Sequence, residues 1–196
     1  MRYPSIADGL LDLGCVRFGE FTLKSGLRSP IYLDLRRLVA RPRLLAEVGA
    51  ACADLLRGLQ FDLLAALPYA ALPIGTAVSL QGDWPLIYPR KEVKAYGTKA
   101  AIEGLYQPGQ RAVVLDDLIT TGESKLEGIE KLTAAGLTVT DIVVLIDRQS
   151  GGVDFMAQHG YRLHSVFTLP ELLDYWEARA AVTPDLLAKA RAFIAA

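Results

Sequence analysis

The chain has 196 residues, enough for one domain with a sizeable core. Hydrophobic residues make up 52%, charged residues 22%, and the formal net charge is −1, an ordinary globular balance that argues against a polyanion binder. No apolar run is long enough to span a bilayer, and the N-terminal MRYPSIADGLL lacks the continuous apolar core of a signal peptide, so a cytoplasmic protein is expected.

In chain order, short apolar runs alternate with amphipathic segments. Strands are expected at Ile31–Leu35, Asp62–Ala66, Leu86–Tyr88, Ala112–Asp116, Asp141–Ile146 and Tyr161–Phe167. Pro42 is placed to open a helix as its first residue, and RLLAEVGAACADLLRGL carries it on. ESKLEGIEKLTAAG puts Leu126, Ile129 and Leu132 on one face and stops at Gly136, a C-capping glycine. LPELLDYWEAR and TPDLLAKARAFIAA read as two C-terminal helices. This alternation predicts an α/β fold whose mainly parallel sheet is flanked by helices. There is no internal repeat, low-complexity stretch or interdomain linker. Arg90–Gly104 is polar, with two glycines and no core face. Cys15 and Cys52 are too few for a disulfide framework and are expected as packed thiols in apolar helical contexts.

VVLDDLITTGES, Val113 to Ser124, carries the chemistry. It sits where a buried strand ends and a helix begins, the edge at which open α/β sheets bind ligands. Unpaired N–H groups and the helix dipole favour an anion there. Thr120, Thr121 and Ser124 add hydroxyl donors, and Gly122 allows close backbone approach. Neither G-x-x-x-x-G-K-[ST] nor G-x-G-x-x-G occurs in the chain. The adjacent Asp116 and Asp117 suit the vicinal hydroxyls of a ribose whose 5-phosphate lies in the loop, or a nearby Mg²⁺ that bridges sugar hydroxyls and a diphosphate. The plainer reading is an acidic strand end followed by an ST-turn and an N-cap.

This stretch resembles the signature with which type I phosphoribosyltransferases bind 5-phosphoribosyl diphosphate (PRPP). Four further stretches resemble orotate phosphoribosyltransferases, and together the likeness runs from Ala7 to Phe167. In FGEFTLKSGLRSPIYLDLR, the family places Lys24 at the PRPP and orotate site and an aromatic pair beside the pyrimidine. Here that pair reads Tyr32 and Leu33, so one ring is replaced by an aliphatic chain. ALPYAALPIGT is similar to a loop that holds diphosphate through backbone amides. Tyr69 and Ala70 stand there, with alanine where many bacterial relatives have lysine. PRKEVKAYGTKAAIEG resembles the family's mobile catalytic loop, with Arg90, Lys91 and Lys94 directed to the diphosphate and Tyr96 where bacterial members often have histidine. In VVLIDRQSGG, Arg148 takes the place of an arginine that meets orotate.

The resemblance implies a single domain, residues 1–196, of the type I phosphoribosyltransferase fold, with an N-terminal hood at about 1–40 and a lid at about 89–104. It implies transfer of the phosphoribosyl group from PRPP to orotate, giving orotidine 5′-monophosphate and diphosphate, with Mg²⁺ held mainly by PRPP, near Asp116 and Asp117. Lys94, Asp116 and Asp117 are the implied catalytic residues. PRPP would also meet Leu118, Ile119, Thr120, Thr121, Gly122, Glu123 and Ser124, with Thr120 reaching orotate as well. Glu123 departs from an ideal anion cradle, and its side chain is expected to turn outward, met by the helix N-terminus or by Lys125. A homodimer sharing the lid across its interface is implied. The match to the fused eukaryotic enzymes covers only their first half. A transferase for another base, or a non-catalytic PRPP sensor, stays open. No nucleic-acid surface is evident, and His159 and His164 have no Cys or His partners with which to form a metal site.

Overall fold

A strand buried on both faces needs apolar side chains at every position, and this chain supplies three such runs near its middle. The computed structural model describes residues 1–22, 26–91 and 101–195. These fold in the order α1 (Pro4–Asp12), β1 (Val16–Thr22), β2 (Arg28–Leu33), a 3-10 helix (Leu35–Ala40), α2 (Pro42–Leu56), β3 (Leu63–Ala66), α3 (Ala71–Gly82), β4 (Leu86–Pro89), β5 (Ile102–Glu103), β6 (Arg111–Ile119), α4 (Glu123–Ala134), β7 (Thr138–Asp147), α5 (Gly152–Gln158), β8 (Arg162–Thr168), α6 (Leu169–Ala178) and α7 (Pro184–Ile194).

The main sheet has the order β5-β4-β3-β6-β7-β8. All its pairings are parallel except β4 with β5. The pleat sends alternate residues to two cores. Leu64, Ala66, Val113, Leu115, Val143 and Leu145 face one, closed by α1, α2, α3, α6 and α7. Leu63, Ala65, Ala112, Val114, Ile142 and Val144 face the other, closed by α4 and α5. The antiparallel hairpin β1–β2 stands apart from this sheet and packs its buried residues on the first core.

The chain leaves β3 to form β4 on one side, then returns to place β6 on the other. The sheet therefore has a topological switch point at β3, and the loops leaving β3 and β6 flank one crevice.

Three expectations need correction. The strand expected at Ile31–Leu35 is shifted to Arg28–Leu33, because it is set by hairpin pairing with β1, and Leu35 already starts the 3-10 helix. The strand expected to stop at Asp116 continues to Ile119, because Asp116, Leu118 and Ile119 pair with Val144, Ile146 and Asp147 of β7. Both acids thus lie within the strand. Cys15 sits in the turn between α1 and β1, while Cys52 is in α2. Both thiols are free and buried, and burial pushes them up to about 11 and about 12.

Candidate active site

The crevice at the switch point holds a cavity of about 340 Å³. Tyr69 and Ala70 enter it from the loop after β3, Arg90 and Lys91 from the end of β4, and Asp116 and Asp117 from β6. The Pro68–Tyr69 peptide bond is cis. Lys91 Nζ lies 5.2 Å from the centre of the Tyr69 ring, a cation–π contact that joins two of these segments.

Asp116 is buried and Asp117 half-buried. The Asp117 backbone N–H donates to Asp116 Oδ1 at 2.8 Å, and Lys125 Nζ lies 2.5 Å from Asp116 Oδ2. Burial, followed by the neighbouring Asp116 carboxylate, pushes Asp117 up to about 7, with Lys125 pulling the other way. Both acids line the cavity.

The loop from Thr120 to Gly122 joins β6 to α4. Gly122 has φ +100° and caps α4, and a Cβ there would lie 2.8 Å from Met156 Cε and Phe155 Cδ1. Only glycine fits both requirements. Glu123 is exposed in the first turn of α4, where its charge meets the helix dipole. Lys125 is not its partner: that lysine turns inward to Asp116.

Of the expected site residues, Tyr69, Ala70, Arg90, Lys91, Asp116, Asp117 and Ser124 line one cavity. Leu118, Ile119, Thr120, Thr121, Gly122 and Glu123 form the strand end and loop beside it without lining it. Tyr32 lies in the hairpin, stacked on Phe21 at 5.4 Å with Arg17 over both rings, and Leu33 packs on the first core. Arg148 follows β7, and its backbone N–H donates to Ile119 O at 3.0 Å. It does not pair with Asp147, whose Oδ1 accepts the Gln149 N–H. Its guanidinium lies 5.0 Å from the Phe193 ring centre, and its Nε is buried with no hydrogen-bond partner among the described residues. Burial lowers its pKa. Lys24, Lys94 and Tyr96 lie outside the described residues.

The structure adds residues that the motifs did not reveal. Arg36 reaches the cavity from the 3-10 helix, and Lys125, Gly128 and Lys131 reach it from α4. Ser124, Gly128 and Lys131 recur at helical spacing, so one face of α4 was readable as a cavity wall. Arg36 carried no such signal. Lys131 Nζ donates to Arg90 O at 3.2 Å and pairs with Glu127 at 3.0 Å, and Arg90 pairs with Glu103 at 2.9 Å. His164 lies elsewhere: its Nε2 is 2.8 Å from Asp141 Oδ1, and Arg162 Nη2 donates to the other oxygen at 2.7 Å.

The parallel sheet with its switch point, the paired acids at the end of a central strand, and the loop leading into a helix define a type I phosphoribosyltransferase. No family model matches the chain. An orotate phosphoribosyltransferase of Caenorhabditis elegans is 41% identical over 169 residues, which are 85% of this chain and 74% of that protein. The bifunctional enzyme PyrF/PyrE of Nostoc sp. is 43% identical over 163 residues, 83% of this chain and 34% of its own length. The solved structure of Leishmania donovani UMP synthase superposes with a TM-score of 0.92 at 49% identity, covering 100% of this chain and 42% of that one. The chain therefore spans well under half the length of these last two relatives. It belongs to the orotate phosphoribosyltransferase family.

Proposed function

We propose that this chain transfers the 5-phosphoribosyl group of PRPP to orotate, forming orotidine 5′-monophosphate and releasing diphosphate. The observation that carries the reading is the meeting of Asp116–Asp117, the Tyr69–Ala70 loop and the cations Arg90 and Lys91 in one cavity at the switch point.

The base displaces diphosphate from the anomeric carbon of the ribose. Positive charge develops on the ribose ring and negative charge on the leaving group, so catalysis is positioning and electrostatics. Asp117 accepts hydrogen bonds from the ribose hydroxyls and stands near the developing cation. Arg90 and Lys91, with Lys94, face the departing diphosphate. Thr120, Thr121, Gly122 and Ser124 receive the 5-phosphate at the start of α4. Arg148 and Tyr32, with Lys24 and Thr120, take orotate, whose carboxylate and ring carbonyls suit a planar guanidinium. Leu33 supplies an aliphatic contact on that side. Orotate at neutral pH is a carboxylate whose ring N1 still carries its proton, so forming the bond from N1 to the anomeric carbon releases that proton, which the departing diphosphate or solvent takes up.

Mg²⁺ belongs to this reading as the ion that neutralises the diphosphate. The hard carboxylate oxygens beside the cavity suit it. No three His, Cys, Asp or Glu side chains gather to hold a metal among the described residues, so PRPP itself would supply most of its ligands, with Asp116 and Asp117 nearby. The reading also includes one domain with an N-terminal hood, a lid at residues 89–104 that excludes water from the reacting PRPP, a homodimer that shares this lid, and a cytoplasmic setting.

Ultraviolet absorbance of orotate with PRPP, Mg²⁺ and the protein tests the reaction, with uracil and hypoxanthine run in parallel. The orotate band should fall only when PRPP is present. Turnover of uracil or hypoxanthine in its place would reassign the base, and PRPP binding without any turnover would point to a sensor.

A further inference from the structure

Lys125 stands where its own helix disfavours it. It is the third residue of α4, inside the first turn, where free N–H groups and the helix dipole oppose a cation. It is also only 7% exposed, and a buried ammonium without a partner is costly. Its partner is Asp116, which is only 9% exposed. The second oxygen of Asp116 accepts the Asp117 backbone N–H at 2.8 Å. Both oxygens of Asp116 are thus engaged inside the protein. Asp117 lines the same cavity and has no ion pair among the described residues.

A buried ion pair of this kind seldom adds stability over an apolar pair of similar volume. Its retention on the wall of a ligand cavity needs another explanation. Two free carboxylates side by side would repel the phosphates of PRPP. One carboxylate beside a closed, neutral pair repels them less, and it still accepts bonds from the sugar.

We propose that Lys125 is a positioning residue for phosphoribosyl transfer: by closing Asp116 into a neutral pair, it leaves Asp117 as the single carboxylate presented to the ribose of PRPP. The inference rests on the reading of the cavity as a PRPP site.

Calorimetric titration with PRPP and Mg²⁺ tests it, alongside KM values for both substrates and thermal unfolding, in Lys125→Met and in Asp116→Asn/Lys125→Met. Lys125→Met should weaken PRPP binding on the order of tenfold while leaving KM for orotate within about twofold. The double variant, which again carries an uncharged pair, should recover at least about threefold of that loss. Lys125→Met that binds PRPP as the unaltered protein does would overturn the proposal. So would a double variant weaker than Lys125→Met, since Asp116 would then hold the ribose directly. If Lys125→Met is too unstable to purify, the double variant decides: measurable PRPP binding supports the proposal, and a folded protein without it overturns it. Failure of the unaltered protein to bind PRPP would overturn the functional reading, and this inference with it, before any variant is compared.

Discussion

Asp117 lies directly after Asp116 on β6, and its backbone N–H donates to the Asp116 carboxylate at 2.8 Å. Burial and that neighbouring charge push the Asp117 carboxyl up to about 7. Between its ordinary value near 4 and this raised one, the native state keeps a proton that the unfolded chain has already released. Stability should therefore fall as pH rises from about 4 to about 7, then level off. Thermal unfolding across this range should show the slope, and Asp117→Asn should flatten it. PRPP affinity should rise with pH through about 7 as the carboxylate forms, and lose part of that dependence in Asp117→Asn.

Gly122→Ala places a Cβ 2.8 Å from Met156 and Phe155 at a backbone φ of +100°. The loop into α4 must then shift. A loss of about 1–3 kcal/mol in urea unfolding is expected, with kcat/KM for PRPP down on the order of a hundredfold because the loop no longer seats the phosphate.

Arg148→Lys keeps the positive charge and removes the planar fork, including the Nε that has no hydrogen-bond partner among the described residues. KM for orotate should rise about tenfold or more, with KM for PRPP nearly unchanged. Equal effects on both substrates would remove Arg148 from the base site.

Lys131→Ala removes the donor to the Arg90 carbonyl, at 3.2 Å, and one partner of Glu127. Glu127 is exposed, so the cost in stability should stay within about 1 kcal/mol. Arg90 lines the cavity, so kcat and KM for PRPP should change together, within about tenfold. Steady-state kinetics beside thermal unfolding separates the two effects.

The central strands were legible because Leu63–Ala66, Val113–Leu115 and Ile142–Ile146 are apolar on both faces, a pattern that parallel sheets require. The end of β6 was not, because DDLI reads as a polar exit and only pairing with β7 carries it on to Ile119. Helix α3, ALPIGTAVSLQG, was missed because a proline and a glycine interrupt it and its apolar residues mark no single face. Asp116 and Asp117 were legible as cavity-lining residues because adjacent acids before a small, hydroxylated loop have few structural uses, whereas the threonines after them lie beside the cavity. Lys125 was not: in ESKLEGIEK it reads as one more solvated lysine, and only the approach of α4 to β6 brings it onto Asp116. Arg36 was hidden for the same reason, since its place depends on how the 3-10 helix meets the sheet.

The most direct test of the account is a ³¹P NMR time course of PRPP and Mg²⁺ with the protein, recorded with and without orotate. The account predicts that diphosphate and a new phosphomonoester signal grow together, and only when orotate is present. Diphosphate release that ignores orotate, or an unchanged PRPP spectrum in its presence, would contradict it.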